Sequence, residues 1–127
     1  GNAIAVWAQP IDDVTAIWAN RFEADIGWTE PAPIGPRSES SARTPQVAMT
    51  PDGDAVAVWI QFDGVQDSAW SARYLGGAWR MSRPIEKDDE RRAFGPRVAI
   101  DSDGDAVAVW VFQDRNGRLA IWSSSLE

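Results

Sequence analysis

Cysteine and histidine are both missing from these 127 residues. Without Cys, disulfides, thiolate chemistry and Cys-ligated zinc are excluded. Without His, the chain can build no Ser-His-Asp triad, no imidazole metal site and no neutral-pH imidazole base. Its Ser-rich stretches therefore carry no hydrolase signal. Tyrosine is nearly missing as well: Tyr74 is the single one. Acid–base chemistry would fall to Asp, Glu, Tyr74 or Lys87. No apolar run approaches the roughly 20 residues of a membrane helix, so no membrane partner is expected. Basic residues are outnumbered, 12 against 19 acidic, giving a net charge of −7. Nucleic-acid binding needs clustered positive charge, so that partner is not expected either. The sequence shows neither a signal peptide nor an initiator Met. Gly1 opens directly into an apolar strand pattern, as expected of a processed or excised piece.

What is present is a repeat. Hydrophobic residues make up 44% of the chain, enough for a core. "DGDAVAVW" occurs at 52–59 and again at 103–110, and "GNAIAVW" at 1–7 is a third copy. Gly1, Gly53 and Gly104 are 52 and 51 residues apart, as are Trp7, Trp59 and Trp110. Trp18, Trp70 and Trp122 follow in the three copies, then Trp28 and Trp79, Pro33 and Pro84, and Ile34 and Ile85. All eight Trp fall on repeat positions. The single domain 1–127 divides into repeat 1 (1–52), repeat 2 (53–103) and a partial repeat 3 (104–127). A period near 51 residues means a solenoid, a propeller or an array.

Each full unit reads as four strands: 54–61, 67–75, 78–85 and 96–100. Val, Ile, Trp and Ala dominate them, and turn residues bound every run. "DGD" at 52–54 and 103–105, "LGGA" at 75–78 and "DRNG" at 114–117 supply the turns. No segment holds a 3.6-residue period, which leaves room for at most one helical turn in 86–94. In 54–60, Ala55, Ala57 and Trp59 share one face while Val56, Val58 and Ile60 share the other. A strand apolar on both sides is covered on both sides. These features together predict an all-β fold: β-propeller blades of four antiparallel strands, about two and a half repeats per chain. With "PRVAI" innermost, the pieces run three, four and three strands. Ten strands are too few for a ring, which needs about four blades at minimum. Open ends would expose two large apolar faces. Either copies of the chain assemble, a dimer first, or the chain is part of a longer protein. Completion of the ring by homo-oligomerisation is the favoured expectation.

The pattern P-x-V-A-x-x-x-D-G-[ND]-A-x-A-V-W, followed by W-[SA]-x-R-[YF] and G-x-W, resembles the repeat units of secreted bacterial sialidase-like β-propellers. It covers nearly the whole chain. The resemblance implies a repeat scaffold and an extracellular or periplasmic location, although a lack of Cys suits cytosolic proteins equally. Such propellers often carry an Asp-box, Ser/Thr-x-Asp-x-Gly-x-x-Trp. Here Thr50-Pro51-Asp52 opens it, but Gly53 comes one place early and the aromatic residue comes late. Sialidase catalysis uses three Arg, a Tyr–Glu pair and an Asp. Tyr74 occupies the position of Phe22 in the first repeat, which reads as packing. Short lectins that build propellers from several small chains offer a second resemblance, one of assembly logic.

Four features carry candidate chemistry, each beside a plainer alternative. Asp101, Asp103 and Asp105 alternate as at the start of a calcium loop, but Gly104 and the strand after it come too early, and a structural turn is the alternative. No other cofactor is expected. The loops 35–44 and 86–92 are expected to share a face with 62–66 and 113–118. There Arg37, Arg43, Arg91 and Arg92 are candidates for an anionic ligand, against solvated connectors. Trp18, Trp70 and Trp122 are candidates for stacking on sugars, against inter-blade packing. Arg21 and Arg73 follow two of these Trp by three residues and are expected to meet loop acids, while Ser125 stands at that place in the third copy. Paired carboxylates at Asp12–Asp13 and Asp88–Asp89–Glu90 would suit a glycosidase only if they faced each other across a substrate. No catalytic residue is assigned. The leading expectation is a non-catalytic, lectin-like binding propeller assembled from more than one chain, with a carbohydrate ligand. The alternatives are a fragment of a larger secreted glycosidase-like propeller, or a structural repeat that binds protein.

Overall fold

The DAVAVW stretch is central to the architecture. In a computed structural model, which describes residues 1–36, 40–86, 88 and 90–126, its three copies lie in three antiparallel sheets, at the edge of the first and between two partner strands in the second and third. The first sheet contains β1 (Ala3–Ile11), β2 (Val14–Glu23), β3 (Gly27–Trp28) and β4 (Ala32–Pro33). The second contains β5 (Ala42–Met49), β6 (Ala55–Phe62), β7 (Asp67–Leu75), β8 (Ala78–Trp79) and β9 (Arg83–Pro84). The third contains β10 (Arg92–Ile100), β11 (Ala106–Gln113) and β12 (Leu119–Leu126). Strands pair in chain order except that β4 returns to β2 and β9 to β7, none of the sheets closes on itself, and no helix occurs among the described residues.

Two details depart from the sequence reading. The strand expected at 78–85 is two short pieces, both bonded to β7. Tyr74 opposes Trp79, but Trp70 opposes Pro84, so one extra residue is accommodated between them. The first repeat does the same: Phe22 opposes Trp28 and Trp18 opposes Pro33. Second, the opening strands of the second and third sheets begin earlier than "PQVAM" and "PRVAI". A bulge lies between Arg43 and Gln46 in one and between Phe94 and Arg97 in the other. Thr44 (φ 54°) and Gly95 (φ 61°) occupy the same left-handed position within it. Beyond that bulge β10 continues back to Arg92, where a helical turn had been allowed for.

The sheets stack face to face through two cores. In one, Ile17, Ala19 and Ile34 of the first sheet meet Ala57, Trp59 and Ala72 of the second. In the other, Val58, Ile60 and Ala69 of the second sheet meet Ala108, Trp110 and Phe112 of the third. Each junction therefore lays the branched face of one sheet on the Ala/Trp face of the next, as the two apolar faces of residues 54–60 predict. Residues Ala55 through Gln61 are all buried. The same motif in β11 alternates instead: Ala106, Ala108 and Trp110 are buried while Val107 and Val109 are exposed, because no further sheet lies on that side.

Two devices fasten the junctions. Trp59 is fully buried, and its indole N–H donates to Gln61 Oε1 at 2.9 Å. A buried donor left unpaired costs about 1–3 kcal/mol, so the Gln two residues on is part of the packing. Trp7 repeats the pair with Gln9 at 2.8 Å. The second device is Arg73. Its guanidinium crosses to the third sheet and donates to the carbonyls of Gly104 (2.9 Å) and Leu126 (2.5 Å). Arg21 crosses the other junction and donates to the hydroxyl of Tyr74 at 2.5 Å, lying over its ring. These arginines thus meet the neighbouring sheet rather than loop acids. Among the described residues, the one acid in ion-pair reach of either is Glu23, 3.9 Å from Arg21 on the same strand.

Candidate functional site

At one end of the second and third sheets Arg43, Arg91 and Arg92 meet the acids of neighbouring strands and connections. Asp67, the first residue of β7, accepts both Arg43 Nη1 (3.2 Å) and Arg43 Nη2 (2.8 Å). Arg92, opening β10, reaches the same carboxylate at 3.5 Å. One acid from the second sheet thus holds two arginines that enter from successive connections. Arg43 is correspondingly raised above the ordinary arginine range, its hydrogen bond to Asp67 outweighing burial.

Arg91 is held differently. Its guanidinium pairs with Asp88, whose Oδ2 accepts Arg91 Nε at 2.6 Å. It also lies over two rings, 4.5 Å from the centroids of both Phe112 and Trp122. A cation over aromatic faces is attracted by the ring quadrupole, by about 0.5–2 kcal/mol depending on exposure. Asp88 also accepts the backbone N–H groups of Glu90 (2.9 Å) and Arg91 (3.0 Å). Burial pushes the Asp88 carboxyl up, but Arg91 and these N–H groups together hold it below the ordinary carboxylate range. Glu86, two residues earlier, is shifted the other way. Burial raises it, against donation from the N–H groups of Ala69 (3.3 Å) and Asp88 (2.7 Å).

The structure brings Arg43 and Arg92 together and places Arg91 beside Trp122. Arg37 lies outside the described residues. The three candidate Trp do not converge. Trp70 packs against the core between the first and second sheets. Trp18 is half-buried on the outward face of the first sheet, opposite Trp7. Trp122 keeps 45% of its surface exposed, with Phe112 edge-on to it at 5.5 Å. Sequence reading missed Asp67 and Phe112. Asp67 had a signal in hindsight: it is the acid opening a strand beside two arginine-bearing connections.

Asp101, Asp103 and Asp105 form a turn. Asp101 Oδ1 accepts the N–H groups of Asp103 (2.9 Å) and Asp105 (3.0 Å), and Asp101 N–H donates to Asp105 O at 3.0 Å. The turn at 114–118 is built alike: Asp114 Oδ1 accepts from Asn116 and Arg118, both at 2.9 Å. There the second and third carboxylates are absent, yet the turn forms. At 50–54 the hydroxyl of Thr50 accepts from Asp54 N–H at 3.2 Å in the same role. The shared requirement is one oxygen acceptor and a Gly at positive φ. Among the described residues no three acidic side chains stand where they could hold a metal ion.

No protein-family model and no curated protein matches the chain. Solved structures do. A protein of unknown function from Dyadobacter fermentans superposes with a TM-score of 0.70 at 20% identity, over 100% of this chain and 35% of its own. A Hadza microbial sialidase superposes with a TM-score of 0.62 at 15% identity, over 89% of this chain and 29% of its own. The chain thus spans about a third of the length of these structures. The likeness to a sialidase gives the stacked sheets a β-propeller-like fold, as the repeat pattern led one to expect.

Proposed function

We propose that this chain is a non-catalytic carbohydrate-binding module, a lectin-like propeller whose ring is assembled from more than one chain. The observation that carries the reading is Trp122. The Arg91 guanidinium, paired with Asp88, lies over its ring, and 45% of the residue's surface stays exposed. A sugar offers the matching surfaces, an apolar ring face for stacking and hydroxyls for the charged pair. The state of the carboxylates supports the non-catalytic part. Asp67 is committed to two arginines, Asp88 to Arg91, and Asp63, Asp101 and Asp114 to their own turns. Tyr74 is buried at a sheet junction, its hydroxyl accepting from Arg21. Binding on a glycan array, lost in Trp122→Ala and kept in Asp103→Asn, is the expected result. Array binding that survives Trp122→Ala, Trp18→Ala and Trp70→Ala alike would remove the sugar-stacking reading.

A second reading, a fragment of a larger secreted glycosidase-like propeller, is favoured by one observation. Glu86 is raised and Asp88 lowered, and opposed shifts in neighbouring acids are how general acids and bases are set apart. Turnover of a chromogenic glycoside, abolished by Glu86→Gln, would establish it in place of the first.

A further inference from the structure

We infer that two copies of this chain close head-to-tail. The branched face of the third sheet of one copy packs on the Ala/Trp face of the first sheet of the other, in the register of the internal junctions. The inference rests on the multi-chain reading above and assigns its faces, its polarity and its copy number.

The two internal junctions define what the outward faces are. Val107, Val109 and Ile121 are 45%, 37% and 72% exposed, whereas their repeat counterparts Val56, Val58 and Ala69 are each 0% exposed. On the opposite end, Ala5, Trp7 and Trp28 are open or half-open, whereas Ala57, Trp59 and Trp79 at the same repeat positions pack into the junction with the first sheet. One end of the chain thus carries the outgoing half of a junction and the other end the incoming half. Of the two Trp buried at this repeat position, Trp59 has its indole N–H satisfied and Trp110, followed by Phe112 in place of a Gln, does not. Trp7 already donates to Gln9, as buried Trp59 does to Gln61.

The polar fasteners change in step at the two ends. At the first internal junction Arg21 meets the hydroxyl of Tyr74. The same two repeat positions, brought together across a head-to-tail contact, are Ser125 and Phe22. Arginine and hydroxyl are lost together, so neither side buries an unpaired charge or phenol. Pairing of two third sheets, or of two first sheets, would set like face on like face, which neither internal junction does. The free strand edges do not interfere. The free edges of β1 and β12, like that of any sheet, lie off the stacking faces. Three sheets per chain make six in two copies, within the roughly four to eight blades of propeller rings.

The test uses the whole chain in two variants, Val109→Asp on one face and Ala5→Asp on the other, with masses read by sedimentation. The wild type is expected at twice the 13.9 kDa chain mass. Each variant alone is expected at the single-chain mass, because in either one both junctions carry an Asp. A one-to-one mixture is expected to recover the doubled mass, since one of its two junctions is then free of both substitutions. That recovery also shows that the variants fold. A mixture that stays monomeric overturns the inference. So does an Ala5→Asp variant that still dimerises, which means third sheet on third sheet and leaves multi-chain assembly standing. Masses above two copies overturn the closed ring. A monomeric wild type overturns both the inference and multi-chain assembly, and the glycan array then judges sugar binding separately.

Discussion

At the residue scale, the most informative position is the one shared by Thr44 and Gly95. Both adopt positive φ in the bulge near the start of β5 or β10, at 54° and 61°. Glycine is at ease there, while a residue with a β-carbon is strained by about 1–3 kcal/mol. A Cβ at Gly95 would meet nothing within 4 Å, so only the backbone resists it. Gly95→Ala should therefore lower stability by about 1–2 kcal/mol in urea unfolding, while Thr44→Gly leaves it unchanged or raises it. Equal losses in the two variants would mean that the bulge is not shared. The sequence shows the repeat offset between the two positions but gives no sign of the bulge, because Thr is no marker of positive φ. Arg21 and Arg73 teach a similar lesson. Their spacing from Trp18 and Trp70 is plain in the sequence, but their partners are a phenol and two main-chain carbonyls on other sheets. Carbonyls carry no sequence signal.

At the element scale, the central strands and their turns were legible because each has a local cause. Alternating faces need a period of two, and the turns need an oxygen acceptor and a Gly. The outer strand was not legible as it stands. Two-residue pieces on either side of an inserted residue, such as β8 and β9, show no periodicity. Local causes also govern the response of the turns to acid. Asp63 Oδ1 accepts the N–H groups of Val65 and Gln66, each at 2.8 Å, and Oδ2 accepts the Ser68 hydroxyl at 2.9 Å. Burial raises the Asp63 carboxyl, but these donors outweigh it and hold it below the ordinary range. A carboxyl lowered by folding adds stability that is complete above the usual value of about 4 and fades as pH falls through the folded value. Asp63→Asn keeps an acceptor and removes the titration. Its urea midpoint is expected to fall less than that of the wild type between neutral pH and about pH 3. Parallel curves would show that the Asp63 hydrogen bonds do not favour the ionised form.

At the scale of the whole molecule, the repeat predicted three sheets stacked through one kind of junction, and the stack is what the structure displays. The candidate site was less legible. Trp70 is core, and Trp122 owes its surroundings to Arg91, which comes from the connection leading into the third sheet. That meeting depends on how the sheets stack, which no single repeat encodes. The central claim is that the outward faces of the first and third sheets are two halves of one further junction. Burying a Val or Ile side chain is worth about 1.5–3 kcal/mol, so a closed junction couples stability to association. The thermal unfolding midpoint of the wild-type chain, followed over about a hundredfold range of concentration, tests this most directly. The account predicts a midpoint that climbs steadily with concentration. A midpoint that stays constant across that range would contradict it.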